Sequence, residues 1–279
     1  MREQPETLDE AVHRQVRAAL EEDIGPGDIT ASLIPADEQG HAEIITREDA
    51  VLCGIPWVDE VFRQLGEIEI EWHAADGDRI AADTVLCTLS GPTRTLLTGE
   101  RTALNFLQTL MGTATTARRY ADAVADRNIT VLDTRKTIPG LRAAQKYAVR
   151  CGGCANHRMG LYDAFLIKEN HIAACGSITA AIQAARQNAP KKSIIVEVET
   201  LDELREAAAA NPDQLMLDNF SGDMIRAAIS AAPGTPLEIS GNQTLDGLTA
   251  LPREHSLFLS SGSLTKNLES IDLSMRLVH

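Results

Sequence analysis

The chain is short of positive charge: its 279 residues include 26 Lys and Arg against 40 Asp and Glu, a formal net charge of −14. Binding a nucleic-acid backbone requires a basic surface, so this deficit argues against nucleic acid as a partner. Long apolar runs are also missing. The first residues, MREQPETLDE, are polar and acidic, and no later stretch is long and apolar enough to span a bilayer. We therefore expect a cytoplasmic protein with no membrane partner.

Cysteines are few and odd in number, which does not fit a disulfide framework. The five are Cys53, Cys87, Cys151, Cys154 and Cys175. Cys151 and Cys154 form a C-x-x-C motif, and His157 follows three residues later. A zinc site would need a second pair of ligands at matching spacing, which the sequence lacks. The alternative to a metal or redox role is two small residues in a glycine-rich loop.

The residues that are present describe a globular protein with one unusual segment. A composition of 44% hydrophobic and 24% charged residues is typical of a soluble protein with a sizeable core. Residues 133–171 contain seven Lys and Arg but three acidic residues, a local charge of +4, so the rest of the chain carries −18. A basic island in an acidic protein indicates a pocket for a small anion.

The first part of the chain combines helices with short strands. Residues 8–22 have the apolar spacing of an amphipathic helix. Turn signals separate three alternating or β-branched runs that predict strands, at 42–46, 68–72 and 84–89. Residues 94–124 then predict a helix in which Gly99 and Gly112 are weak points.

The second part has a repeating pattern of short apolar strands, each ending in a polar cluster. Six of them are evident, at 129–136, 164–171, 194–199, 214–219, 237–242 and 257–262. Alanine-rich helical stretches lie between several of them. Such repeats predict parallel strands with right-handed crossovers, hence an α/β barrel or an open α/β sheet. In both architectures ligands bind beyond the carboxyl ends of the strands.

The strand ends carry three kinds of group. The fixed cations, which suit carboxylate or phosphate, are Arg135, Lys136, Lys168 and Arg158. Glu197 and Asp218 are carboxylates that can hold magnesium or a sugar hydroxyl, or oppose developing positive charge. Two small loops, at 240–242 and 260–263, can hold a phosphate through backbone N–H groups. This set suits a phosphorylated sugar and a polyanionic co-substrate.

Several of these residues also have a simpler interpretation. Arg142, Lys146 and Arg150 recur every four residues, which favours a solvated helix face. His171 fits a loop histidine as well as it fits a ligand. Glu199 lies past the end of its strand, where we expect it to face solvent. A single Ser-Gly loop is weak evidence, so the joint occurrence of these groups at successive strand ends is what indicates a site.

Several strings in the sequence resemble those of the quinolinate phosphoribosyltransferase family. The longest are DTRKTIPGLR at 133–142, NHRMGLYD at 156–163 and LIKENH at 166–171. Supporting matches include EDIGPGDIT at 22–30, GERTALN at 99–105, LDNF at 217–220 and EISGN at 238–242. The resemblance runs in order through residues 22–276, which makes chance a poor explanation.

The resemblance implies a fold that composition alone leaves open. In that family an N-terminal α/β sandwich domain is joined to an open, seven-stranded α/β barrel, the type II phosphoribosyltransferase architecture. We place the sandwich at residues 1–114, with the segment 266–279 packing on it, and the barrel at 115–265. Because six strands are evident in the sequence, the seventh is expected near His157–Leu161.

The resemblance also assigns functions to residues. It implies catalytic functions for Lys136, Lys168, Glu197 and Asp218. The implied substrate-binding residues are Arg101, Thr134, Arg135, Lys136, His157, Arg158, Lys168, Glu197, Asp218, Ser240, Gly241, Asn242, Ser261, Gly262 and Ser263. Glu197 and Asp218 are the candidate ligands of Mg²⁺, which is expected to enter mainly with phosphoribosyl pyrophosphate. Arg101 is expected to act across the interface of a homodimer or a dimer-based hexamer.

The implied reaction belongs to NAD biosynthesis: phosphoribosyl transfer from phosphoribosyl pyrophosphate to quinolinate with decarboxylation, giving nicotinate mononucleotide, pyrophosphate and carbon dioxide. Three substrate arginines favour this dicarboxylate over nicotinate, the acid of the nearest rival enzyme; molybdenum-associated relatives are a further rival. A non-catalytic phosphosugar-binding protein would be expected to lose Glu197, Asp218 or a lysine, and all are present. A zinc module built from Cys151, Cys154 and His157 is the last alternative.

Overall fold

The computed structural model describes residues 5–66, 68–241, 245 and 255–278. The chain divides into two compact units, the first made of residues 1–118, 137–153 and 265–279, the second of 119–136 and 154–264. The segment 137–153, which we assigned to the barrel domain, therefore groups with the first unit. Among the described helices, none has the length and apolarity needed to cross a membrane.

The first unit contains a four-stranded antiparallel sheet with helices. The strands of this unit, inside and outside the sheet, are β1 Gln39–Thr46, β2 Ala50–Val51, β3 Glu69–Trp72, β4 Arg79–Ile80, β5 Val85–Pro92 and, at the far end of the chain, β12 Leu273–Val278. The sheet order is β12-β1-β5-β3, and β2 pairs with β4 separately. The strands predicted at 42–46, 68–72 and 84–89 correspond to β1, β3 and β5 and are confirmed. Pairing with β12 brings residues 273–278 into this sheet.

The helices of the first unit bury a shared apolar core. They are α1 Leu8–Ile24, α2 Ile55–Leu65, α3 Thr93–Ala123, which continues into the second unit, and α4 Arg142–Cys151, and a short 3-10 turn covers Ala31–Leu33. Helix α1 begins at a capping box in which the Thr7 hydroxyl accepts from the backbone of Glu10 and the Glu10 carboxylate accepts in return. Its buried face, which includes Val12 and Val16, confirms the predicted amphipathic helix.

Helix α3 is continuous through both glycines that made the sequence pattern weak. A Cβ atom on Gly99 would lie 2.6 Å from a ring carbon of Phe62, and one on Gly112 would overlap the carbonyl oxygen of Glu269. Close packing therefore requires the two glycines, and this packing compensates for their low helix propensity.

The solvated face predicted for helix α4 is wrong at Lys146, which is 1% exposed. Its neighbour Gln145 is also buried; its side-chain oxygen accepts from the Ile138 N–H at 2.8 Å, and its amide donates to the Thr265 carbonyl at 2.9 Å. Of the three predicted surface cations, Arg150 is exposed and Arg142 is half-buried. Charge periodicity alone cannot distinguish a surface lysine from a buried one that is held by its surroundings.

The second unit is a parallel sheet with crossover helices. Its strands are β6 Ile129–Leu132, β7 Phe165–Ile167, β8 Ile194–Val198, β9 Gln214–Asp218, β10 Leu237–Ser240 and β11 Leu257–Ser260. The helices are α5 Glu169–Cys175, α6 Ile178–Asn188, α7 Leu201–Ala209 and α8 Gly222–Ala231, with the short α9 at Ser263–Lys266. The order β6-β11-β10-β9-β8-β7, all parallel, confirms the α/β barrel predicted for this part of the chain.

The seventh strand position is reduced to a single residue. Ala155 forms a parallel bridge with Leu132: its N–H donates to Val131 at 2.8 Å, and its carbonyl accepts from the Asp133 N–H at 3.1 Å. The prediction of a strand near His157–Leu161 is wrong, because those residues form no strand. The pairing comes just before them and is too short for an apolar pattern to reveal.

Candidate active site

The carboxyl ends of the parallel strands surround a cavity of about 270 Å³ in the second unit. Its lining consists of Thr134, Arg135, Lys136, His157, Arg158, Leu166, Lys168, Glu197, Met216, Glu238, Ser240 and Ser260. Four of these residues are fixed cations and two are acidic. The cavity therefore has an excess of positive charge inside a protein of negative net charge, as a pocket for an anion requires.

Strand register explains which side chains reach the cavity. Glu197 on β8 and Glu238 on β10 are both register partners of Met216 on β9. Partners in a parallel sheet point to the same face, so the two carboxylates flank the methionine on the cavity side. Two residues further along, Ser240 is the partner of Asp218. The period-2 pattern of each strand thus gives the cavity two successive layers of polar groups.

Lys168 and Glu197 form an ion pair inside the site. The ammonium nitrogen of Lys168 lies 2.5 Å from Oε2 of Glu197, and the Glu197 side chain is 8% exposed. Lys168 follows β7 directly, and Glu197 is in β8, so neighbouring strands bring them together. Burying a carboxylate costs free energy unless an opposite charge is paired with it. The Lys168 ammonium provides that charge while remaining more exposed than Glu197.

Asp133, at the end of β6, holds the segment that carries two of the basic residues. The carboxylate is fully buried. One oxygen accepts from the His157 backbone N–H at 2.8 Å, and the other from the Asn156 side-chain amide at 2.7 Å. Hydrogen bonds of this kind fix a loop firmly because breaking them would leave a buried charge unsatisfied. The positions of His157 and Arg158 are therefore set from β6.

Glu238 is a site residue that we did not predict. It is fully buried, and its Oε2 accepts from the Gln214 side-chain amide at 2.5 Å and lies 3.3 Å from Nε2 of His157. Its position two residues before Ser240 in the same strand would have placed it on the cavity face. The signal was present in the period-2 pattern, but a glutamate before a strand end is easily assigned to the polar surface.

The arginines of the cavity crowd one another. Burial lowers the pKa of the Arg158 guanidinium, and the charge of Arg135 lowers it further, while Asp163 acts in the opposite sense. Arg158 also donates to the Ala164 carbonyl oxygen at 3.1 Å. An anion between two neighbouring guanidinium groups stabilises such an arrangement.

Two loops border the cavity. A Cβ atom on Gly262 would lie 2.9 Å from Cδ of Lys136, so the glycine allows the lysine side chain to cross the loop. Gly241 has a φ of +90°, and a side chain there would also overlap the Asn219 amide group. Both glycines therefore meet a local steric requirement.

The structure gathers eight of the predicted site residues around the cavity: Thr134, Arg135, Lys136, His157, Arg158, Lys168, Glu197 and Ser240. Asp218, Gly241, Ser261, Gly262 and Ser263 lie at or next to the same strand ends but are not part of the lining. Asn242 falls outside the described residues. Arg101 is exposed on helix α3 in the first unit. Sequence reasoning missed Leu166, Met216 and Glu238, and it included Ser260 only as part of the loop at 260–263.

The cysteines group differently from the zinc module considered above. In the first unit, the sulfur atoms of Cys53 and Cys151 and a carboxylate oxygen of Asp76 lie within 4.8 Å of one another. Asp76 already accepts from Tyr147 at 2.7 Å and from the Gly54 N–H at 3.0 Å. Burial raises the pKa of Cys53, and a hydrogen bond with the Cys53 thiol lowers that of Cys151.

Comparison with known proteins decides the family. The quinolinate phosphoribosyl transferase C-terminal domain matches residues 113–276, and the N-terminal domain of the same family matches residues 28–111. The chain belongs to the quinolinate phosphoribosyl transferase family.

Relatives within the quinolinate phosphoribosyl transferase family are similar over nearly their whole length. A probable carboxylating nicotinate-nucleotide pyrophosphorylase of Bacillus subtilis is 42% identical over 270 residues, which is 94% of this chain and 93% of the relative. The structure of a nicotinate-nucleotide pyrophosphorylase from Francisella tularensis is 45% identical, with a TM-score of 0.92 and 98% of each chain covered. NadC from Streptococcus pyogenes gives 39% identity and a TM-score of 0.93 over 99% of each chain.

The nicotinate-specific rival is similar in fold alone. Human nicotinic acid phosphoribosyltransferase shares 13% identity with this chain at a TM-score of 0.61, covering 96% of this chain and 74% of the other. Such a likeness carries no information about the acid that is used. The two domain matches place the chain with the quinolinate enzymes instead.

Proposed function

We propose that this chain transfers phosphoribosyl from phosphoribosyl pyrophosphate to quinolinate with decarboxylation, giving nicotinate mononucleotide, pyrophosphate and carbon dioxide. The observation that carries the proposal is the pair of guanidinium groups, Arg135 and Arg158, that line a cavity with Lys136 and Lys168. Relatives 42% identical to this chain are named probable carboxylating nicotinate-nucleotide pyrophosphorylases, which describes this reaction in the reverse direction.

The acid is held by its two carboxylates. Arginine binds a carboxylate through two parallel N–H donors, which fixes the plane of the ring as well as its position. Arg135 and Arg158 supply this grip from the cavity, and a dianion between them relieves their repulsion. The ring nitrogen is then directed at the anomeric carbon of the sugar. A monocarboxylate would leave one guanidinium without its counter-charge.

Phosphate groups are bound by the lysines and by the two loops. Lys136 lines the cavity with its side chain beside Gly262, and the loops that contain Gly241 and Gly262 lie at the ends of the neighbouring strands. Lys136 neutralises charge as the pyrophosphate departs, which lowers the barrier when the charge is stabilised more in the transition state than in the ground state.

The carboxylates act on the sugar. As pyrophosphate leaves, the anomeric carbon acquires positive charge, and Glu197 and Asp218 stabilise it or hold the ribose hydroxyls. Lys168 fixes the orientation of Glu197 through the 2.5 Å contact. Once the ring nitrogen is glycosylated, its positive charge stabilises the carbanion that remains when the adjacent carboxylate leaves as carbon dioxide. Positioning and charge therefore suffice, and no covalent nucleophile is required.

Magnesium fits this site as a companion of the substrate. Each carboxylate already accepts a hydrogen bond: Glu197 accepts from Lys168, and Asp218 accepts from the Asn219 amide at 3.0 Å. Mg²⁺ is usually bound through one or two carboxylates, with substrate phosphates and water completing six ligands. Glu197 and Asp218 would each offer one oxygen at most. The ion would contribute neutralisation of the pyrophosphate.

The active site is shared between subunits of a homodimer, alone or within a dimer-based hexamer. Arg101 is exposed on helix α3, far along the chain from the basic strand ends. In a two-fold dimer each site would combine Arg101 of one subunit with Arg135 and Arg158 of the other. The proposed location is the cytoplasm, and the proposed partners are small molecules and a second copy of the chain, without nucleic acid.

The direct test measures product formation from each candidate acid. Purified protein with Mg²⁺ and phosphoribosyl pyrophosphate should consume quinolinate and release one carbon dioxide for each nicotinate mononucleotide, and it should use nicotinate poorly. Omitting phosphoribosyl pyrophosphate is the control for spontaneous decarboxylation. Equal or better turnover of nicotinate would contradict the proposal, and binding of phosphoribosyl pyrophosphate without turnover would favour a phosphosugar-binding protein.

A further inference from the structure

Glu238 is placed as a hydrogen-bond acceptor within the cavity wall. The Gln214 amide donates to its Oε2 atom at 2.5 Å, and Nε2 of the His157 ring lies 3.3 Å from the same oxygen. Its other oxygen, Oε1, is buried and has no hydrogen-bond partner among the described residues. Burying a carboxylate in this manner costs free energy that an apolar residue would not. A function in the site explains the residue better than packing does.

The His157 ring is oriented from both sides. Its Nδ1 accepts from the Arg158 backbone N–H at 2.7 Å. A ring nitrogen that accepts carries no proton, so the proton of the neutral imidazole is on Nε2. That nitrogen is the one that faces Glu238, and the ring is 8% exposed. The two contacts are therefore compatible with one tautomer.

We propose that Glu238 is a positioning residue: by holding the Nε2–H tautomer of His157, it fixes the backbone of Arg158 and so the guanidinium that receives the acid. The chain of contacts runs from the carboxylate to the imidazole and from the imidazole to the N–H of Arg158. Asp133 supports the same segment by accepting from the His157 backbone, and the Arg158 side chain is anchored on Ala164.

The chemistry separates this function from direct participation in the reaction. If Nδ1 gained the proton instead, the Arg158 N–H would meet a second donor and lose its hydrogen bond, which would release the loop at the residue that carries the guanidinium. A displacement of about 1 Å at a substrate-positioning residue is enough to cost roughly 100-fold in rate. Glu238 therefore affects the acid through Arg158, while the carboxylate itself contacts other protein groups.

The first test uses the free protein, so it does not depend on the proposed function. With ¹⁵N-labelled histidine, the ring of His157, assigned by comparison with a His157→Asn variant, should show a protonated Nε2 and an unprotonated Nδ1 at neutral pH. Glu238→Gln keeps an oxygen that can accept from both donors, so the tautomer should persist. Glu238→Leu removes the acceptor, so a mixture of tautomers should appear. A proton on Nδ1 in the unsubstituted protein would overturn the proposal.

The second test uses kinetics and rests on the proposed function for the identity of the substrate. Glu238→Leu should raise KM for quinolinate by about tenfold or more, whereas Glu238→Gln should remain within about threefold of the unsubstituted enzyme. The matched control is Glu199→Leu, because Glu199 is an exposed glutamate just beyond β8. KM for phosphoribosyl pyrophosphate should change little in all three variants.

The outcomes are distinguishable. Equal KM values for Glu238→Leu and Glu238→Gln, with tautomers as expected, would show that the histidine does not control Arg158 and would overturn the proposal. Absence of quinolinate turnover in the unsubstituted enzyme would contradict the proposed function, while the tautomer spectra would still decide the function of Glu238. If Glu238→Leu does not fold, the spectra of the unsubstituted protein and of Glu238→Gln remain decisive.

Discussion

Lys168 and Glu197 are joined across adjacent strands by a contact of 2.5 Å within the candidate active site. The exposures of their side chains differ, 42% for the lysine against 8% for the glutamate. The lysine can therefore reach solvent or a ligand while the glutamate stays fixed on β8. Such an asymmetric pair can keep one charge in place and leave the other adjustable.

This pair yields a prediction about coupling. Glu197→Gln and Lys168→Met should each lower kcat by at least roughly 100-fold, the scale for removing a preorganised charge at a reacting centre. Because the two side chains act as a unit, the double variant should cost much less than the product of the single effects. A double-variant cycle on kcat/KM measures the coupling. Additive effects would show that the ion pair is incidental.

Lys136 should be essential although it is exposed. We expect Lys136→Ala to lower kcat by at least roughly 100-fold, because the lysine that crosses Gly262 is placed to neutralise a departing phosphate. Lys146 would have been the natural surface control from the sequence, but its burial makes it unsuitable. Lys191, which is exposed before β8, replaces it. Steady-state kinetics should show Lys191→Ala close to the unsubstituted enzyme; an equal loss would point to a general charge effect.

Sharing of the site between subunits predicts complementation. Homodimers of Arg101→Ala and of Lys136→Ala should both be nearly inactive, since each of their sites lacks one group. A mixed dimer has one site with both substitutions and one site with neither. Random exchange at equal amounts makes about half of the dimers mixed, with half of their sites intact, so activity should return to roughly a quarter of the unsubstituted level.

Complementation needs proof of exchange to be informative. Differently tagged subunits should be recovered together after mixing, and mixing two Lys136→Ala samples should restore nothing. If exchange is demonstrated and Arg101→Ala with Lys136→Ala also remains inactive, Arg101 acts within its own subunit or has no function in the reaction.

Glu60 predicts a pH dependence of stability outside the site. Hydrogen bonds from Arg63 lower the pKa of Glu60 to about 2, and Gln64 and His13 contribute, against the opposing effect of burial. A carboxyl whose pKa is depressed in the folded state stabilises the fold above its unfolded value, near 4.5, and loses that contribution as pH falls towards 2. Glu60→Gln should therefore be destabilised at pH 7 and converge with the unsubstituted protein in acid.

Urea denaturation from pH 7 down to the lowest pH at which the protein remains folded measures this difference. Glu71→Gln, an exposed glutamate on β3, is the control and should change little across the range. A constant difference between Glu60→Gln and the unsubstituted protein at all pH values would show that packing, rather than the ionised carboxylate, accounts for the effect.

Much of the barrel could be predicted because each strand has a recognisable pattern in its own short stretch of sequence. An apolar run that ends in charge is visible without knowledge of its partner, and this was enough to place Lys136, Lys168 and Glu197 on one edge. Ala155 could not be found in this way, because a single bridging residue has no periodicity. Lys146 was misjudged for a related reason: its burial depends on residues far away in the sequence.

Glu238 illustrates a different limit. Its strand was predicted, and the alternation of side chains would have directed it inward, but a carboxylate in a site built for anions contradicts simple charge matching. The justification emerges only when Gln214 is seen to donate to its carboxylate and the His157 ring is seen to lie beside it. Site residues that act through other residues are therefore harder to infer from sequence than those that meet the ligand.

The single-residue bridge at Ala155 leaves a gap in the backbone pairing of the barrel, since β7 pairs with β8 alone among the described strands. A side-chain hydrogen bond spans this gap: the Arg158 guanidinium donates to the carbonyl of Ala164, the residue before β7. A guanidinium has five N–H donors, so one can donate to the backbone carbonyl while the others bind a ligand. The arginine proposed to bind the acid thus also joins the segments on either side of the opening. Replacing Arg158 would remove this hydrogen bond as well as a binding group. A loss of activity in such a variant would therefore combine both effects.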